Sequence, residues 1–211
     1  MQVAIAAARR AEGRSGPNPP VGCAIISSNG QLIAVGHTAL GGRPHAETEA
    51  LAIAGEAAQG ATAYVTLEPC AHTGQTGPCA DALVEAGIAR VVIAARDPDD
   101  RVNGRGIERL ADNGVDIQIG VEAEAARQVM AGFLARVTMS RPLVTLKTAT
   151  SIDGMIALGD GAYSRQQPVA ATALQVNIAP HIRPGNPALG AVPKCNHPVK
   201  RCRCLQRHQG P

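Results

Sequence analysis

Three apolar runs with the composition of buried strands, separated by single helical patterns, constrain the fold of this chain most strongly. The runs are "AYVTL", "RVVIAA" and "VDIQIG", and the helical patterns between them cover about 79–86 and 106–112. Neighbouring parallel strands need such crossover connections, because the end of one strand lies far from the start of the next. The pattern therefore predicts an α/β fold with a parallel segment of sheet and helices on both faces.

The residues before these runs predict an antiparallel opening to the same sheet. A helical pattern of Ala, Ile and Val ends at Gly13, and a loop with three prolines follows it. "VGCAII" and "QLIAVG" then have the composition of two strands, and the Asn29-Gly30 pair between them is a strong hairpin signal. A helix over about 45–58 leads into the parallel segment. The central sheet should therefore be mixed.

Composition and charge exclude several classes of partner. With one Phe, two Tyr and no Trp, the core must be aliphatic and stacking on nucleic-acid bases is disfavoured. Residues 1–160 carry seventeen acidic and thirteen basic residues, whereas residues 161–211 carry seven basic residues, seven prolines and no acid. A basic tail can bind nucleic acid, but these charges have no periodicity, so solvated disorder is the favoured interpretation. We therefore expect no nucleic-acid partner.

The sequence also indicates a compartment. No apolar run approaches the roughly 20 residues of a membrane span, and the short run at 3–8 precedes its arginines, unlike the run of a signal peptide. We therefore expect a cytoplasmic protein without a membrane partner. In that reducing compartment the six cysteines are better candidates for metal binding or catalysis than for disulfides.

Candidate metal ligands lie at three junctions between strands and helices. His45 opens a predicted helix, Cys70 follows the strand "AYVTL", and Cys79 opens the next helix. Helix N-termini lower the pKa of thiols, which prepares both cysteines to bind a cation, and zinc suits this ligand set. Three protein ligands leave a fourth position for a water whose pKa zinc lowers toward about 7, and Glu47 is close enough in sequence to carry its proton. The alternative is a closed structural zinc site, for which no fourth ligand is obvious nearby.

The order H-x-E, then P-C and a second cysteine, is the signature of zinc deaminases, in which the Glu is the acid/base. Here the cysteines are spaced P-C-x8-C, and this long loop resembles that of the bifunctional deaminase/reductase family of riboflavin biosynthesis. Other segments resemble the same family in the same order, and together they span nearly all of residues 1–157. They are "PNPPVG", "GGRPHAE", "YVTLEPCAH", "RDPDDRVNGRGI" and "LKTATSIDGMIA".

This resemblance implies a three-layer α/β/α, cytidine-deaminase-like fold with a mixed central sheet. It implies zinc-dependent hydrolytic deamination of 2,5-diamino-6-ribosylamino-4(3H)-pyrimidinone 5′-phosphate, and it leaves open whether the chain forms a homo-oligomer. It also implies the roles of seven residues: the zinc ligands His45, Cys70 and Cys79, the proton shuttle Glu47, and contacts to the pyrimidine from Asn18, His72 and Asp97.

Two positions depart from the family pattern. Gln75 stands where the family usually has Lys or Arg, and Gly77 replaces the first of two prolines before the second cysteine. The substrate phosphate should therefore bind less tightly, or bind to Arg101 or Arg105 instead. Asn18 has a simpler alternative role as a turn residue between prolines.

The chain is expected to comprise three regions. Residues 1–141, which end in a predicted helix over about 122–138, form the deaminase domain. Residues 142–160 resemble the start of the family's reductase domain, and residues 161–211 form a tail whose composition suggests disorder and a frameshifted reading frame. The tail cysteines and histidines match no zinc module. Two rival functions stay open at this point: a deaminase of a nucleoside or a tRNA base, and a truncated product with no activity.

Overall fold

The computed structural model describes residues 1–72, 77–99 and 102–145 of the 211-residue chain. Its described elements alternate after an opening helix and hairpin, as the sequence predicts. The helices are α1 (Gln2–Ala11), α2 (Ala46–Ala54), α3 (Cys79–Glu85), α4 (Arg105–Asp112), α5 (Ala123–Val129) and α6 (Ala131–Met139). The strands are β1 (Gly22–Ile26), β2 (Leu32–His37), β3 (Thr62–Leu67), β4 (Arg90–Ala95) and β5 (Asp116–Ile119), and short 3₁₀ turns cover Leu40–Gly42 and Gly55–Ala58.

The five strands form one mixed sheet in the order β2-β1-β3-β4-β5. β1 pairs antiparallel with both β2 and β3, whereas β3, β4 and β5 run parallel to one another. This arrangement confirms the predicted hairpin and the predicted parallel segment. The carboxyl ends of the parallel strands lie along one edge of the sheet, which is where ligands bind in folds of this kind.

Helices cover both faces of the sheet. α2 packs on β1 and β2 and also contacts α3, which in turn contacts α4. α1 and α5 pack together on the opposite face. Two glycines permit the closest approaches. A Cβ at Gly22 would lie 1.9 Å from the carbonyl oxygen of Ala4, and one at Gly36 would lie 2.2 Å from that of Ala46. The helices therefore rest directly on the backbone of the hairpin.

The core is aliphatic, as the composition requires. Its largest fully buried side chains include Ile25, Val65, Leu83, Ile93 and Leu110, and small alanines fill the spaces between helices and sheet. Cys23 is also fully buried in this core. Because these side chains lie beneath the strand ends, they give the loops at the sheet edge a rigid base.

The sequence predicts one long helix over 122–138. This prediction is wrong at one point, because the chain forms two helices that meet at Met130. The backbone of Met130 (φ −95°, ψ 11°) leaves the helical region, and its N–H is shared between the carbonyls of Ala126 and Arg127. Its side chain is fully buried. Met130 thus lies in the core, and Phe133 of the following helix, α6, lines the cavity described below.

Some predictions fall outside the described residues. The disordered tail at 161–211, most of the reductase remnant at 142–160, and the positions Gln75 and Arg101 lie there, and these predictions stay untested. Within the described ranges, no helix has the length and apolar character needed to cross a membrane.

Candidate metal centre and cavity

Three side chains with metal-binding atoms converge at the edge of the sheet where β3 ends. His45 directly precedes α2, Cys70 lies three residues beyond the end of β3, and Cys79 is the first residue of α3. Their ligand atoms all lie within 4.8 Å of one another. The structure therefore brings together the three residues that the sequence singles out.

The spacing of these atoms fits a tetrahedral zinc ion. Nδ1 of His45 lies 3.3 Å from Sγ of Cys79 and 3.7 Å from Sγ of Cys70. With zinc at about 2.3 Å from sulfur and about 2.0 Å from nitrogen, tetrahedral ligand atoms would lie about 3.5 to 3.8 Å apart. One nitrogen and two sulfurs are also ligands that zinc prefers. The donor set and its spacing thus suit this ion.

The pKa values of the two thiols in the cluster are shifted in opposite directions. Hydrogen bonding by the Cys79 thiol lowers the pKa of Cys70 to about 4, and the neighbouring His45 and the Cys79 N–H, 3.3 Å from Sγ, contribute to this shift. The hydrogen bond to Cys70 and burial raise the pKa of Cys79, and the hydrogen bond with Cys70 also raises the pKa of His45. Cys70 is therefore a thiolate at neutral pH, ready to bind a cation.

Glu47 lies in the first turn of α2, beside this cluster. Its side chain is almost fully buried, with 3% of the residue exposed. Burial raises its pKa to about 7, and the negative charge of Cys70 adds to that effect. A carboxyl group that titrates near neutral pH can both accept and donate a proton.

A cavity opens beside these four residues. It is bounded by the proline-rich loop at 17–21, the loop before α2, the residues after β3, the segment after β4, and α6. Its lining residues are Pro17, Asn18, Pro19, Val21, Thr38, Arg43, His45, Glu47, Leu67, Glu68, Cys70, His72, Asp97, Asp99, Val102, Phe133 and Arg136. Six of the seven residues named from the sequence thus line one cavity, and the seventh, Cys79, is buried beside His45 and Cys70.

Asn18 and His72 take up different positions at the cavity wall. The side-chain amide of Asn18 donates to the carbonyl of Gly42 at 3.1 Å, so part of its role is to hold two loops together. Nδ1 of His72 is buried and, among the described residues, makes no hydrogen bond. A buried polar atom without a partner is costly, and a ligand in the cavity could satisfy it.

Asp97 lies beyond the end of β4, where it is 7% exposed and its Oδ1 accepts a hydrogen bond from the N–H of Asp99 at 2.9 Å. Its carboxylate also shapes the segment that follows β4.

Sequence reasoning did not single out most of the cavity wall, including Arg43, Glu68, Phe133 and Arg136. Arg43 falls inside the "GGRPHAE" segment, two residues before a ligand, which is a signal that could have been used. Phe133 and Arg136 lie on α6, and the guanidinium of Arg136 stands 5.4 Å over the ring of Phe133 while donating to the carbonyl of Pro17 at 2.7 Å. No local pattern predicts a contact across 119 residues.

Comparison with known proteins places this site in a family. Residues 1–95, which contain all three candidate ligands, match the family model described as the cytidine and deoxycytidylate deaminase zinc-binding region. The riboflavin biosynthesis protein RibD of Escherichia coli K12 is 46% identical over 161 residues, which are 76% of this chain and 44% of that protein. Over these residues the chain is similar to RibD proteins. His45, Cys70 and Cys79 form a potential metal site within the matched zinc-binding region.

Solved structures of RibD proteins agree with the fold. RibD of Acinetobacter baumannii superposes with a TM-score of 0.68 at 49% identity, covering 73% of this chain and 43% of that one. The deaminase/reductase of Thermotoga maritima gives a TM-score of 0.71 at 41% identity, covering 76% and 46%. These likenesses confirm the predicted α/β, cytidine-deaminase-like fold. The chain spans less than half the length of the curated relatives that it matches.

Proposed function

We propose that this chain is a zinc-dependent hydrolytic deaminase of 2,5-diamino-6-ribosylamino-4(3H)-pyrimidinone 5′-phosphate. One observation carries the proposal: a buried carboxyl group, Glu47, shares a cavity with His45 and Cys70, two of the three convergent metal-binding side chains. The similarity of residues in the first three quarters of the chain to RibD proteins supports this substrate. A closed structural zinc site would not need an adjoining cavity.

Three residues would hold the metal, and one would move the protons. His45, Cys70 and Cys79 would bind zinc, which supplies an acidified water for attack on the substrate. Glu47 would take a proton from that water as oxygen bonds to the ring carbon that carries the departing amine. It would then protonate the adjacent ring nitrogen.

Departure of the amine completes the reaction. Glu47 would take the second water proton from the hydroxyl now bonded to the ring carbon and pass it to the amine, the carbon–nitrogen bond would break as the carbonyl forms, and ammonia would leave as a neutral molecule. The substrate and one water thus become the oxo product and ammonia. Because Glu47 is buried, its proton stays on the reaction path and does not exchange freely with bulk water.

The cavity wall would orient the pyrimidine. His72 would offer its unpaired Nδ1 to the ring, and Asn18 and Asp97 would contact its polar edge. Arg43 and Arg136 would bind the phosphate, because their side chains line the cavity. Arg105, which the sequence suggested for this role, is the first residue of α4 and does not line the cavity.

We further propose that the protein works in the cytoplasm on this small molecule and not on nucleic acid. A reducing compartment keeps Cys70 and Cys79 available as metal ligands. The acidic balance of residues 1–160 disfavours a polyanionic RNA. A homo-oligomer stays a prediction, and gel filtration with light scattering would establish the number of chains.

Ammonia release from purified zinc-loaded protein tests the proposed reaction. The pyrimidine phosphate should be turned over, whereas its dephosphorylated form, cytidine, and a tRNA with an unpaired adenosine should react at least about tenfold more slowly. Turnover of tRNA or cytidine in preference to the pyrimidine phosphate would replace this substrate with that of the rival deaminases. No turnover of any of the four would favour the inactive product.

The phosphate contact has its own test. Arg136→Gln should raise KM for the phosphorylated substrate about tenfold, since a charged hydrogen bond is worth roughly 1.5 to 3 kcal/mol. Arg127→Gln on α5, which removes an exposed arginine away from the cavity, is the matched control. An equal effect of Arg136→Gln on the dephosphorylated form would show that Arg136 acts only by holding the loop at Pro17.

A further inference from the structure

Glu68 is a buried carboxylate that the proposed chemistry does not use. It lies between the end of β3 and the candidate ligand Cys70, and only 3% of it is exposed. A buried carboxylate is stable only where strong donors replace its lost hydration. Its partners therefore indicate what it does.

Four backbone N–H groups supply those hydrogen bonds, and they come from two segments distant in sequence. The N–H of Asp97 donates to Oε2 at 3.3 Å. The N–H groups of Gly104, Gly106 and Ile107 donate at 2.9, 3.1 and 3.4 Å to Oε1. One side chain thus ties the segment after β4 and the start of α4 to the end of β3.

The start of α4 fits closely against this carboxylate. A Cβ on Gly106 would lie 1.9 Å from the carbonyl oxygen of Pro69. The backbone of Gly104 has φ +91°, a conformation that glycine adopts without strain. The two glycines therefore let the chain approach near enough for its N–H groups to reach Glu68.

The residues fixed in this way form part of the cavity wall. Asp97, Asp99 and Val102 line the cavity, as does Glu68 itself. Asp97 is bound to Glu68 through its backbone, and Asp99 is bound through its N–H to the carboxylate of Asp97. A chain of hydrogen bonds thus connects Glu68 to two acidic residues that line the cavity.

We propose that Glu68 is a positioning residue that sets the affinity of the cavity for its substrate. It holds Asp97, Asp99 and Val102 in place through backbone hydrogen bonds, and it takes no part in proton transfer. This inference rests on the proposed deaminase function for its kinetic consequences. Its structural content, the anchoring of two segments by one carboxylate, does not depend on the identity of the substrate.

Steady-state kinetics of Glu68→Gln in the zinc-loaded full chain test the kinetic part. The substituted amide presents N–H groups toward backbone donors, so the segment should shift. KM for the pyrimidine phosphate should rise at least about tenfold, kcat should stay within about threefold, and zinc content should not change. Glu68→Asp, which keeps a shorter carboxylate, should recover part of the loss in KM.

Two further variants separate positioning from general stability. Thr66 lies on β3, the strand that precedes Glu68, and its buried hydroxyl accepts a hydrogen bond from the Gly22 N–H at 3.0 Å. Thr66→Val removes this acceptor, so it should lower thermal stability without changing KM. Gly106→Ala pushes α4 away from Pro69 without altering the carboxylate, and it should raise KM as Glu68→Gln does. An unchanged KM in Glu68→Gln and Gly106→Ala would overturn the proposal, as would a loss in kcat alone.

Amide hydrogen exchange supplies a readout that needs no substrate. The amides of Asp97, Gly104, Gly106 and Ile107 should exchange at least about tenfold faster in Glu68→Gln, or in Glu68→Asp if the first variant does not fold. Amides of β1 should be unchanged. Unaltered protection at the four sites would overturn the anchoring role. If the wild-type chain does not deaminate the pyrimidine phosphate, the proposed function fails, and the exchange result still decides the role of Glu68.

Discussion

The two cysteines of the site differ in their surroundings although both belong to one cluster. Cys70 accepts hydrogen bonds from both the thiol and the backbone of Cys79, and these donors lower its pKa to about 4. Cys79 is more deeply buried, and its own pKa is raised. Cys70 therefore presents a thiolate before any metal arrives, whereas Cys79 must give up a proton as the metal binds.

Metal content tests the cluster directly. The purified chain should contain about one zinc per molecule, and the double variant Cys70→Ala/Cys79→Ala should lose it, because one nitrogen ligand cannot retain the ion. Cys23→Ala is the matched control, since it removes a fully buried thiol that belongs to the core. Wild-type protein without zinc would rule out the site, and a double variant with undiminished zinc would move the ligands to the cysteines of the tail.

Glu47 can be tested against a second carboxylate on the same helix. Glu47→Gln should keep zinc and fold but lower kcat by ~10² to 10⁴, the range typical of a general acid/base. The rate is measured as ammonia release from the pyrimidine phosphate. Glu49→Gln, whose native carboxylate lies 3.2 Å from Nδ1 of His37, should keep its activity. Retained turnover in Glu47→Gln would mean that this group only stabilises the start of α2.

The roles of some site residues could be predicted from the sequence, whereas the roles of others could not. His45, Cys70 and Cys79 were predictable, because each has a metal-binding side chain next to a clear boundary of a strand or helix. Glu68 was not, since its donors lie 29 to 39 residues away and a single acid between Leu67 and Pro69 has no periodic signature. Contacts of this kind are set by tertiary packing.

Among the elements, order and type followed from the sequence pattern, as did the opening hairpin and the parallel segment, whereas the break between α5 and α6 did not. The strands and the first four helices lie within a few residues of their predicted positions. The division at Met130 was missed, because alanine-rich helical periodicity continues on both sides of one non-helical residue. The residue at the break, Met130, is fully buried in the core, and such burial is a property of the packed fold that a helical pattern does not reveal.

Two glycines at different elements should respond to alanine in opposite ways. Gly22→Ala should destabilise the protein by about 1 to 3 kcal/mol, because its Cβ would overlap the backbone of α1. Gly132→Ala, in the exposed part of α6, would bring its Cβ no nearer than 3.9 Å to Leu143. It should therefore stabilise the protein by roughly 0.5 to 1 kcal/mol through helix propensity.

Urea denaturation followed by circular dichroism measures both changes. Equal effects of the two substitutions would contradict the close packing of α1 on β1. A destabilising Gly132→Ala would indicate that α6 has a packing partner on that face.

At the scale of the whole molecule, charge is divided unevenly, because the full chain has a net charge of +3 whereas residues 1–160 carry more acidic than basic residues. Residues 1–160 have a surplus of acid, which repels extended polyanions, yet Arg43 and Arg136 line the cavity. Two arginines are sufficient for one phosphate, whereas a nucleic acid requires a continuous basic surface. The described part of the chain therefore combines overall acidity with local positive charge at the site.

The last prediction concerns residues from about 161 onward, which lie outside the described ranges, and it rests on composition alone. Seven prolines, seven basic residues and no acid in 51 residues give neither a helical nor a strand pattern. Such a segment is too short and too irregular to build a nucleotide-binding domain. Limited proteolysis should therefore trim the chain to a stable fragment that ends near Leu158 and keeps zinc and deaminase activity, since exposed, unpacked backbone is cut first.

The same argument predicts that the full 211-residue chain does not reduce the deaminated product with NADPH. The rate at which NADPH absorbance falls after addition of the enzymatically prepared deaminated product measures this reduction. The Thermotoga maritima relative, which is named for both deaminase and reductase, serves as the positive control. A protease-resistant tail, or NADPH oxidation that depends on the product, would show that residues 161–211 fold into a structure whose pattern is not visible in their composition.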